Sequence, residues 1–226
     1  ITGNNITSES VIRNKLLADE GDAYNELLLN KSYNNIKALR LFKNVSTSVE
    51  TNETDKTKII DIKIQEKPTG EIFAGAGTGT SGSSLSFGVS ENNYLGEGIK
   101  LGTNFSITSS SVIGDLYINE PNYKNSNKSF NRSIERAEID NLSNYGYKTE
   151  KFGFTFGTSY EQYKDIFFSP TISNYYEEIT TNSDASALKK KQSGEYLDLM
   201  LDYKISLNKL NQNFNPTDGY RLIFSQ

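Results

Sequence analysis

The chain has 226 residues, enough for one large or two small domains. It contains no Cys, His or Trp, which excludes disulfides, thiolate chemistry and histidine as a metal ligand or general base. The net charge of −4 gives no electrostatic reason to expect nucleic acid as a partner. A mean hydropathy of −0.58 without a long apolar run excludes a membrane-spanning helix. It leaves a membrane β-barrel open, because barrel strands turn only every second residue to lipid.

The first 67 residues predict a small α+β unit in the order helix, helix, strand, strand. Val11, Ile12, Leu16 and Leu17 have the spacing of one helix face, with Thr7 or Ser8 as the cap and Gly21 as the stop. A second helix is predicted over residues 25–42, and two strands over residues 45–50 and 59–65. We expect these core residues: Leu16, Leu28, Ile36, Leu39 and Ile62.

After Gly70 the helical period disappears and apolar residues alternate with polar ones, as in β-strands. The strands are about 9–11 residues long, the length that a tilted strand needs to cross a bilayer. Connections alternate between short (residues 78–83) and long (residues 179–194). Soluble β-sandwiches also alternate, so this pattern alone leaves a membrane barrel and a soluble β-domain open.

A barrel would divide the alternating residues between lipid and lumen. We expect one set to face lipid: Leu85, Phe87, Leu101, Phe105, Phe154, Leu199 and Leu201. We expect the other set to face the lumen: Ser86, Gly102, Asn104, Thr155 and Asp198. Two segments fit a barrel poorly. Arg132 and Arg136 share a predicted face with Phe130, and Pro170 removes a backbone donor from a predicted strand.

Three short patterns look like functional sites but have simpler explanations. Residues 77–82 match the dinucleotide fingerprint G-x-G-x-x-G, yet a strand pattern follows where the fingerprint requires a helix. Residues 189–191 are three lysines without interleaved aromatic residues, which indicates a solvated loop. Glu177 and Glu178 are adjacent in a predicted strand, so they point to opposite faces and form no carboxylate pair.

Five short motifs follow one another before Gly70: residues 3–7 (GNNIT), 11–13 (VIR), 20–25 (EGDAYN), 39–45 (LRLFKNV) and 66–70 (EKPTG). Together they resemble a POTRA domain, the periplasmic repeat of the BamA-type outer-membrane assembly factors in the bacterial surface antigen family. The first motif resembles the G-N-x-x-T that follows the first POTRA strand, and the second and third resemble stretches of the last repeat. The fourth is similar to the family's L-x-x-L-x-x-F-x-x-V turn, and the fifth resembles the junction from which the barrel starts.

Two later motifs extend the resemblance into the barrel. Residues 92–98 (NNYLGEG) are similar to the family's N-x-[FWY]-L-G-x-G turn, and residues 215–221 (NPTDGYR) to its P-T-x-G-x-R. The resemblance implies an α+β POTRA domain at 1–67, lacking its first strand, followed at 68–226 by the N-terminal part of an antiparallel transmembrane β-barrel. We count eight full strands and the start of a ninth of the family's sixteen. Because the sequence begins without Met and stops inside an apolar alternation, we expect a fragment.

The resemblance implies assembly and insertion of β-barrel proteins into the bacterial outer membrane, with no enzymatic activity and no cofactor. Expected partners are unfolded barrel clients, periplasmic lipoprotein subunits and outer-membrane lipid, with the N-terminal module in the periplasm. The first barrel strand should be the client-binding edge, because its glycines and alanines provide little packing. Its residues are Ile72, Phe73, Ala74, Gly75, Ala76, Gly77, Thr78 and Gly79.

Alternative functions remain at this stage. One is a two-partner-secretion-type polypeptide translocator of the same superfamily, and another is a plain porin or adhesin barrel. A soluble carbohydrate-binding β-domain is a third. The helical module before Gly70 argues against the last two classes.

Overall fold

The computed structural model describes residues 1–79, 82–212 and 215–226. The chain forms two compact units. The first comprises Ile1–Thr69, Asn92–Ile99 and Leu207–Leu222, and the second comprises Gly70–Glu91, Lys100–Ser206 and Ile223–Gln226.

The first unit begins with the predicted order of two helices and two strands: α1 Glu9–Arg13, α2 Glu26–Ala38, β1 Phe42–Asn52 and β2 Thr57–Glu66. β1 and β2 pair antiparallel, with Val45 opposite Ile64. Before α1, Thr2 forms a single parallel bridge with Lys63. Its N–H donates to Ile62 O at 3.0 Å, and its carbonyl accepts from Ile64 N at 2.8 Å.

The core of this α+β module lies between the helices and the two-stranded sheet. It is formed by Ile12, Ile36, Val45, Ile62 and Ile64, with Leu16 packed against it. The prediction is therefore confirmed for Ile36 and Ile62. It is wrong for Leu28 and Leu39, which are only half-buried, because Leu28 lies in the first turn of α2 and Leu39 follows its last turn.

The first helix is shorter than its apolar spacing predicts. It ends at Arg13, and the next backbone bonds span only three residues, from Lys15 to Ile12 and from Leu16 to Arg13. The N–H of Leu17 donates instead to the Ser32 hydroxyl of α2 at 2.9 Å. A tertiary hydrogen bond thus replaces the helical one, and the predicted continuation to Gly21 is wrong.

The second helix also ends early. Asn25 caps its start, accepting from the N–H groups of Leu27 and Leu28, but the helix ends at Ala38 and not at Phe42. Arg40 adopts a left-handed φ of 59°, which cannot continue a right-handed helix. Phe42 consequently begins β1.

The described residues after Thr69 form a nine-stranded sheet in which sequence neighbours pair, in the order β11-β10-β9-β8-β7-β6-β5-β4-β3. Its count matches the prediction of eight full strands and the start of a ninth. The strands are β3 Gly70–Gly79, β4 Gly82–Tyr94, β5 Ile99–Thr108, β6 Ser111–Glu120, β7 Ser129–Asn141, β8 Tyr147–Tyr163, β9 Ile166–Thr181, β10 Gly194–Asn208 and β11 Arg221–Ser225.

Three of the connections contain short helical segments. A 3-10 turn, Tyr123–Asn125, joins β6 to β7, and helix α3, Leu142–Tyr145, joins β7 to β8. Helix α4, Ala187–Lys191, lies in the long connection that was predicted over residues 179–194. The short connection predicted at residues 78–83 includes Thr80 and Ser81, which lie outside the described residues.

One face of the sheet is apolar. Residues paired across neighbouring strands lie on the same face of a sheet. Leu116 is paired with Ile134 and Ile134 with Phe154, so all three lie on this face. Stacked rings of Phe87 and Phe105, 5.0 Å apart, join β4 to β5 on the same side. Leu101 is half-buried, whereas the other residues of the predicted outward set are exposed: Leu85, Phe87, Phe105, Phe154, Leu199 and Leu201.

The opposite face is polar and hydrogen-bonded within itself. Ser86 Oγ donates to Ser106 Oγ at 3.2 Å, and Asn104 Nδ2 donates to the Asp115 carboxylate at 3.0 and 3.3 Å. The hydroxyl groups of Thr155 and Ser173 form one hydrogen bond, with 3.0 Å between their oxygens. The strand register places the predicted outward and inward residues of β4 to β8 on these two faces, and none of the outward set belongs to the buried hydrophobic cluster. The facing of the two surfaces toward lipid and lumen stays a prediction, as does the assignment of Asp198, Leu199 and Leu201 in β10. We hereafter call the two surfaces the apolar face and the polar face.

The two segments that fitted a barrel poorly are both strands. Arg132 and Arg136 do lie on the apolar face, opposite Phe156 and Phe152, and each pairs with a glutamate. Pro170 lies in β9, where register pairing stops at Thr171 and resumes at Phe168. The ladder is therefore interrupted where proline cannot donate.

Candidate functional site: the edge strand β3

β3 is a terminal strand of the sheet and pairs only with β4 in the described part of the chain. The pairing runs without a register shift from Gly70 opposite Glu91 to Gly79 opposite Gly82. Every residue of β3 is exposed. A strand with one neighbour leaves one row of backbone N–H and C=O groups available to another strand.

The glycines of β3 have almost no side-chain cover. A Cβ added at Gly75 or Gly79 would meet no atom within 4 Å, and at Gly77 it would meet only Ser84 Oγ, at 3.3 Å. These three glycines lie on the polar face, because Gly75 is opposite Ser86.

Three glycines elsewhere in the sheet are covered by the aromatic residue directly opposite. The ring of Phe73 lies over Gly88, that of Tyr117 over Gly102 and that of Tyr175 over Gly153. An aromatic ring over a glycine replaces the missing side-chain packing. β3 supplies one such ring but receives none, so its own packing is weak.

The structure thus brings all eight predicted site residues, Ile72 to Gly79, onto one exposed edge strand. Ile72, Ala74 and Ala76 are on the apolar face, opposite Val89, Phe87 and Leu85. The alternation assigns the remaining residues to the polar face, except Thr78. Their role in binding a client strand stays a prediction.

Sequence reasoning missed a buried junction just before β3. Asn93 Nδ2 donates to Thr7 Oγ1 at 2.9 Å, and Asn93 Oδ1 accepts from Gly98 N at 2.8 Å. Both Asn93 and Thr7 are buried. Ser8 N donates to Gly96 O at 2.8 Å, so the start of α1 is held against the turn between β4 and β5.

Glu66 completes this junction at the end of β2. Its carboxylate accepts hydrogen bonds from the backbone N–H groups of Asn5, Ile6 and Thr7, at 3.0, 3.0 and 2.7 Å. Desolvation raises the pKa of the Glu66 carboxyl, but the bonds from Thr7, Ile6 and Asn5 outweigh it and hold that pKa below its ordinary value. The EKPTG and NNYLGEG motifs were the signals that could have located Glu66 and Asn93.

None of the three patterns set aside in the sequence forms the functional site that it resembles. Gly82 begins β4, so a strand and not a helix follows residues 77–82. The three lysines end the short helix α4, so the loop predicted at residues 189–191 is wrong. Glu177 is opposite Lys151 and Glu178 opposite Glu150, which places them on different faces. Within the described ranges, no group of three or more His, Cys, Asp or Glu residues could hold a metal ion, and no helix is long and apolar enough to cross a membrane.

Two family models match the chain. The Omp85 superfamily domain matches residues 93–226. The chain belongs to the Omp85 superfamily. The POTRA model, described as a surface antigen variable number repeat, matches residues 1–67, which include the α+β module.

Individual relatives agree with this assignment. The outer membrane protein assembly factor BamA of Neorickettsia risticii is 27% identical over 230 residues, covering 99% of this chain and 30% of that protein. BamA of Buchnera aphidicola is 26% identical over 200 residues, covering 86% and 32%. The chain therefore spans about a third of the length of these relatives.

A solved structure supports the fold. BamA from Haemophilus ducreyi lacking POTRA domains 1–3 superposes with a TM-score of 0.75 at 23% identity, covering 99% of this chain and 46% of that one. The architecture is an α+β POTRA domain followed by part of an antiparallel transmembrane β-barrel.

Proposed function

We propose that the protein containing this chain assembles β-barrel proteins into the bacterial outer membrane, with β3 as the edge on which the client strand is templated. The observation that carries the proposal is that β3, the first strand of the sheet in an Omp85 chain, contains glycines that its neighbour β4 leaves almost uncovered. The BamA relatives, named as assembly factors, support the class of activity.

The chemistry of an edge strand suits many clients. Main-chain hydrogen bonds supply the affinity in β-augmentation, and they require no particular client sequence. In the full-length barrel, β3 would pair on its free side with a closing strand. The open space over Gly75 and Gly79 means that few side-chain contacts would oppose separation of that pair.

The proposed partners are unfolded outer-membrane barrel proteins, periplasmic lipoprotein subunits of an assembly complex and outer-membrane lipid. The α+β module would lie in the periplasm. The proposed role is binding and templating, not catalysis.

Cysteine crosslinking tests the client edge. In the full-length protein, Ala74→Cys or Ala76→Cys should form a disulfide with a cysteine placed in the terminal strand of an arriving client. Thr103→Cys is the matched control, because Thr103 is a small residue on the same face but on β5, which has a neighbour on each side. We expect at least about tenfold less adduct at position 103, since both sides of β5 are occupied.

A second experiment tests whether β3 must open. A disulfide between Ala74→Cys and the closing strand should block client insertion, and reduction should restore it. If the locked protein inserts clients at the wild-type rate, β3 is not the templating edge and the glycines serve only local bending.

A further inference from the structure

The register of β3 against β4 matters for the proposed templating. A client strand that pairs with the free edge of β3 takes its position in the sheet from the backbone groups of β3. A shift of β3 by one residue would exchange its two faces, whereas a shift by two residues would keep every side chain on its own face. Glycine-rich strands specify register weakly, so a two-residue shift is the error to which β3 is prone.

The glycine and alanine positions of β3 barely distinguish one register from another. The three glycines within residues 75–79 carry no side chain that could fit one partner better than the next. On the apolar face, Ala74 is opposite Phe87. After a two-residue shift it would be opposite Leu85 or Val89, so one apolar pair would replace another.

Phe73 is different, because its ring fits one place on β4. The ring lies over Gly88, the residue directly opposite, and Gly88 is buried. A Cβ added at Gly88 would clash with the Phe73 ring and would lie 2.7 Å from Asn104 Oδ1. Phe73 is 51% exposed, compared with 83% for its neighbour Ile72, so the contact covers a substantial part of the ring. The ring therefore occupies a space on β4 that a side chain would close.

A two-residue shift would remove this fit. Phe73 would then lie opposite Ser86 or Ser90, each of which carries a Cβ where Gly88 has none. Gly88 would lie opposite a glutamate or a glycine, neither of which has a ring to cover it. The shifted registers thus lose the contact without gaining an equivalent one.

A second contact lies just before β3. Thr69 O accepts hydrogen bonds from Asn92 N at 3.2 Å and from Asn92 Nδ2 at 3.0 Å. Asn92 is only half-buried, so both donors can bond to water when the strand shifts. Exchange of these bonds for bonds to water changes the free energy little, so they add little to the choice of register.

We propose that Phe73 is a positioning residue that holds the templating strand β3 in one register, by placing its ring over Gly88. The proposal rests on the proposed function, which it deepens. With β3 fixed against β4, its free N–H and C=O groups keep their positions in the sheet while one partner strand replaces another. The uncovered glycines can then favour that exchange without allowing β3 itself to shift.

Disulfide formation within the reconstituted full-length protein, in a background without other cysteines, tests the register. Thr78→Cys with Ser83→Cys reports the native register, because the two residues are directly opposite. Ala76→Cys with Ser83→Cys, and Thr78→Cys with Leu85→Cys, report the two shifted registers. Diagonal neighbours are about 7–8 Å apart, whereas a disulfide needs Cβ atoms about 3.5–4.5 Å apart, so these two pairs form disulfides only after a shift.

We expect Phe73→Ala to raise the yield of a shifted disulfide at least about fivefold over the wild-type background, because the contact that distinguishes the registers is gone. Phe73→Tyr keeps a ring over Gly88 and should restore the wild-type pattern. Phe105→Ala is the matched control. Phe105 lies over Gly114 in the same way but joins β5 to β6, so its removal should leave the register of β3 unchanged.

A second variant covers failure of Phe73→Ala to insert into membranes. Gly88→Ala displaces the ring while β3 keeps its sequence, and it should give the same shifted disulfides. Wild-type disulfide yields in the variant that inserts would overturn the proposal. Shifted disulfides of equal yield in Phe105→Ala would also overturn it, because any loss of packing in the sheet would then release β3.

Client crosslinking separates this proposal from the proposed function. Ala74→Cys should crosslink to one position of the client's terminal strand in the wild-type background, and also to positions two residues away when Phe73→Ala is present. Absence of client adducts, with shifted disulfides still formed, would remove the templating role and retain the control of register by Phe73. Client adducts at a single position in both backgrounds, without shifted disulfides, would retain the templating role and overturn the role of Phe73.

Discussion

The Glu66 carboxylate accepts hydrogen bonds from three backbone N–H groups, so its charge should control the local stability of residues 5–7. Its pKa is lowered in the folded state, and a carboxyl with a lowered pKa contributes stability above the unfolded pKa of about 4.3. That contribution should be lost as the pH falls through the lower, folded-state pKa.

Glu66→Gln should reduce hydrogen-exchange protection of amides 5–7 by about tenfold at pH 6, because hydrogen bonds to a charged acceptor are stronger. Once corrected for intrinsic exchange rates, the wild-type protection should fall in acid and that of the variant should stay flat. The Leu29 amide, bonded to Asn25 O within α2, is the internal control. Equal protection in both proteins at pH 6 would show that the carboxylate is incidental.

Gly96 and Gly21 form a matched pair for separating steric conflict from backbone strain. Both have positive φ, of 73° and 97°. A Cβ at Gly96 would clash with Ile6 O, whereas one at Gly21 would meet nothing within 4 Å. Gly21→Ala should cost about 1 kcal/mol from conformation alone.

Gly96→Ala should cost more than about 3 kcal/mol, because the turn and the backbone of Ile6 must also move apart. Local unfolding free energies from hydrogen exchange give both values, measured around each substituted residue. Similar costs at the two positions would mean that the close approach at Ile6 is not maintained in solution.

At the scale of the element, β3 combines an available backbone edge with glycines that lack cover. Replacing Gly75 and Gly77 with Val should strengthen the strand and its closure, because β-branched residues pack well on a pleated sheet. We expect client insertion into proteoliposomes to slow by about three- to tenfold. Ala74→Val with Ala76→Val, on the other face of the same strand, is the matched control.

The two double variants separate a seam effect from a general strand effect. Slowing by the glycine pair alone would place the closing contacts on the polar face. If both double variants slow client insertion equally, the cause is the strand propensity of valine. If neither variant slows insertion, the glycines do not weaken the closure of β3.

At the scale of the whole molecule, the two faces of the sheet should respond oppositely to charge. Leu199→Arg places a cation on the apolar face and should cost about 2–4 kcal/mol of stability in a bilayer. Asp198→Arg, one residue away on the predicted polar side, should cost less than about 1 kcal/mol. Urea titration of the reconstituted full-length protein, followed by heat-modifiable gel migration, measures both. Equal costs would contradict the assignment of the β10 faces.

The sequence by itself determined the periodic features of this protein. Alternation located the strands and assigned their residues to two faces, because a strand repeats every two residues wherever it lies. The helix pattern identified both helices and the core residue Ile36, and the strand pattern identified the core residue Ile62. Ordered motifs identified the family and the strand that became the candidate site.

Only the tertiary structure decided where helices stop and what distant residues do together. The hydroxyl of Ser32 accepts a hydrogen bond from the N–H of Leu17, and the helical bonding of the first helix does not continue there. The two residues are 15 positions apart, so no local sequence period could predict this contact. Asn93 and Thr7, 86 positions apart, meet in a buried hydrogen bond for the same reason. Glu138, Glu150 and Glu178 lie side by side only because strand register brings single residues from several strands together, and register is a property of the paired sheet.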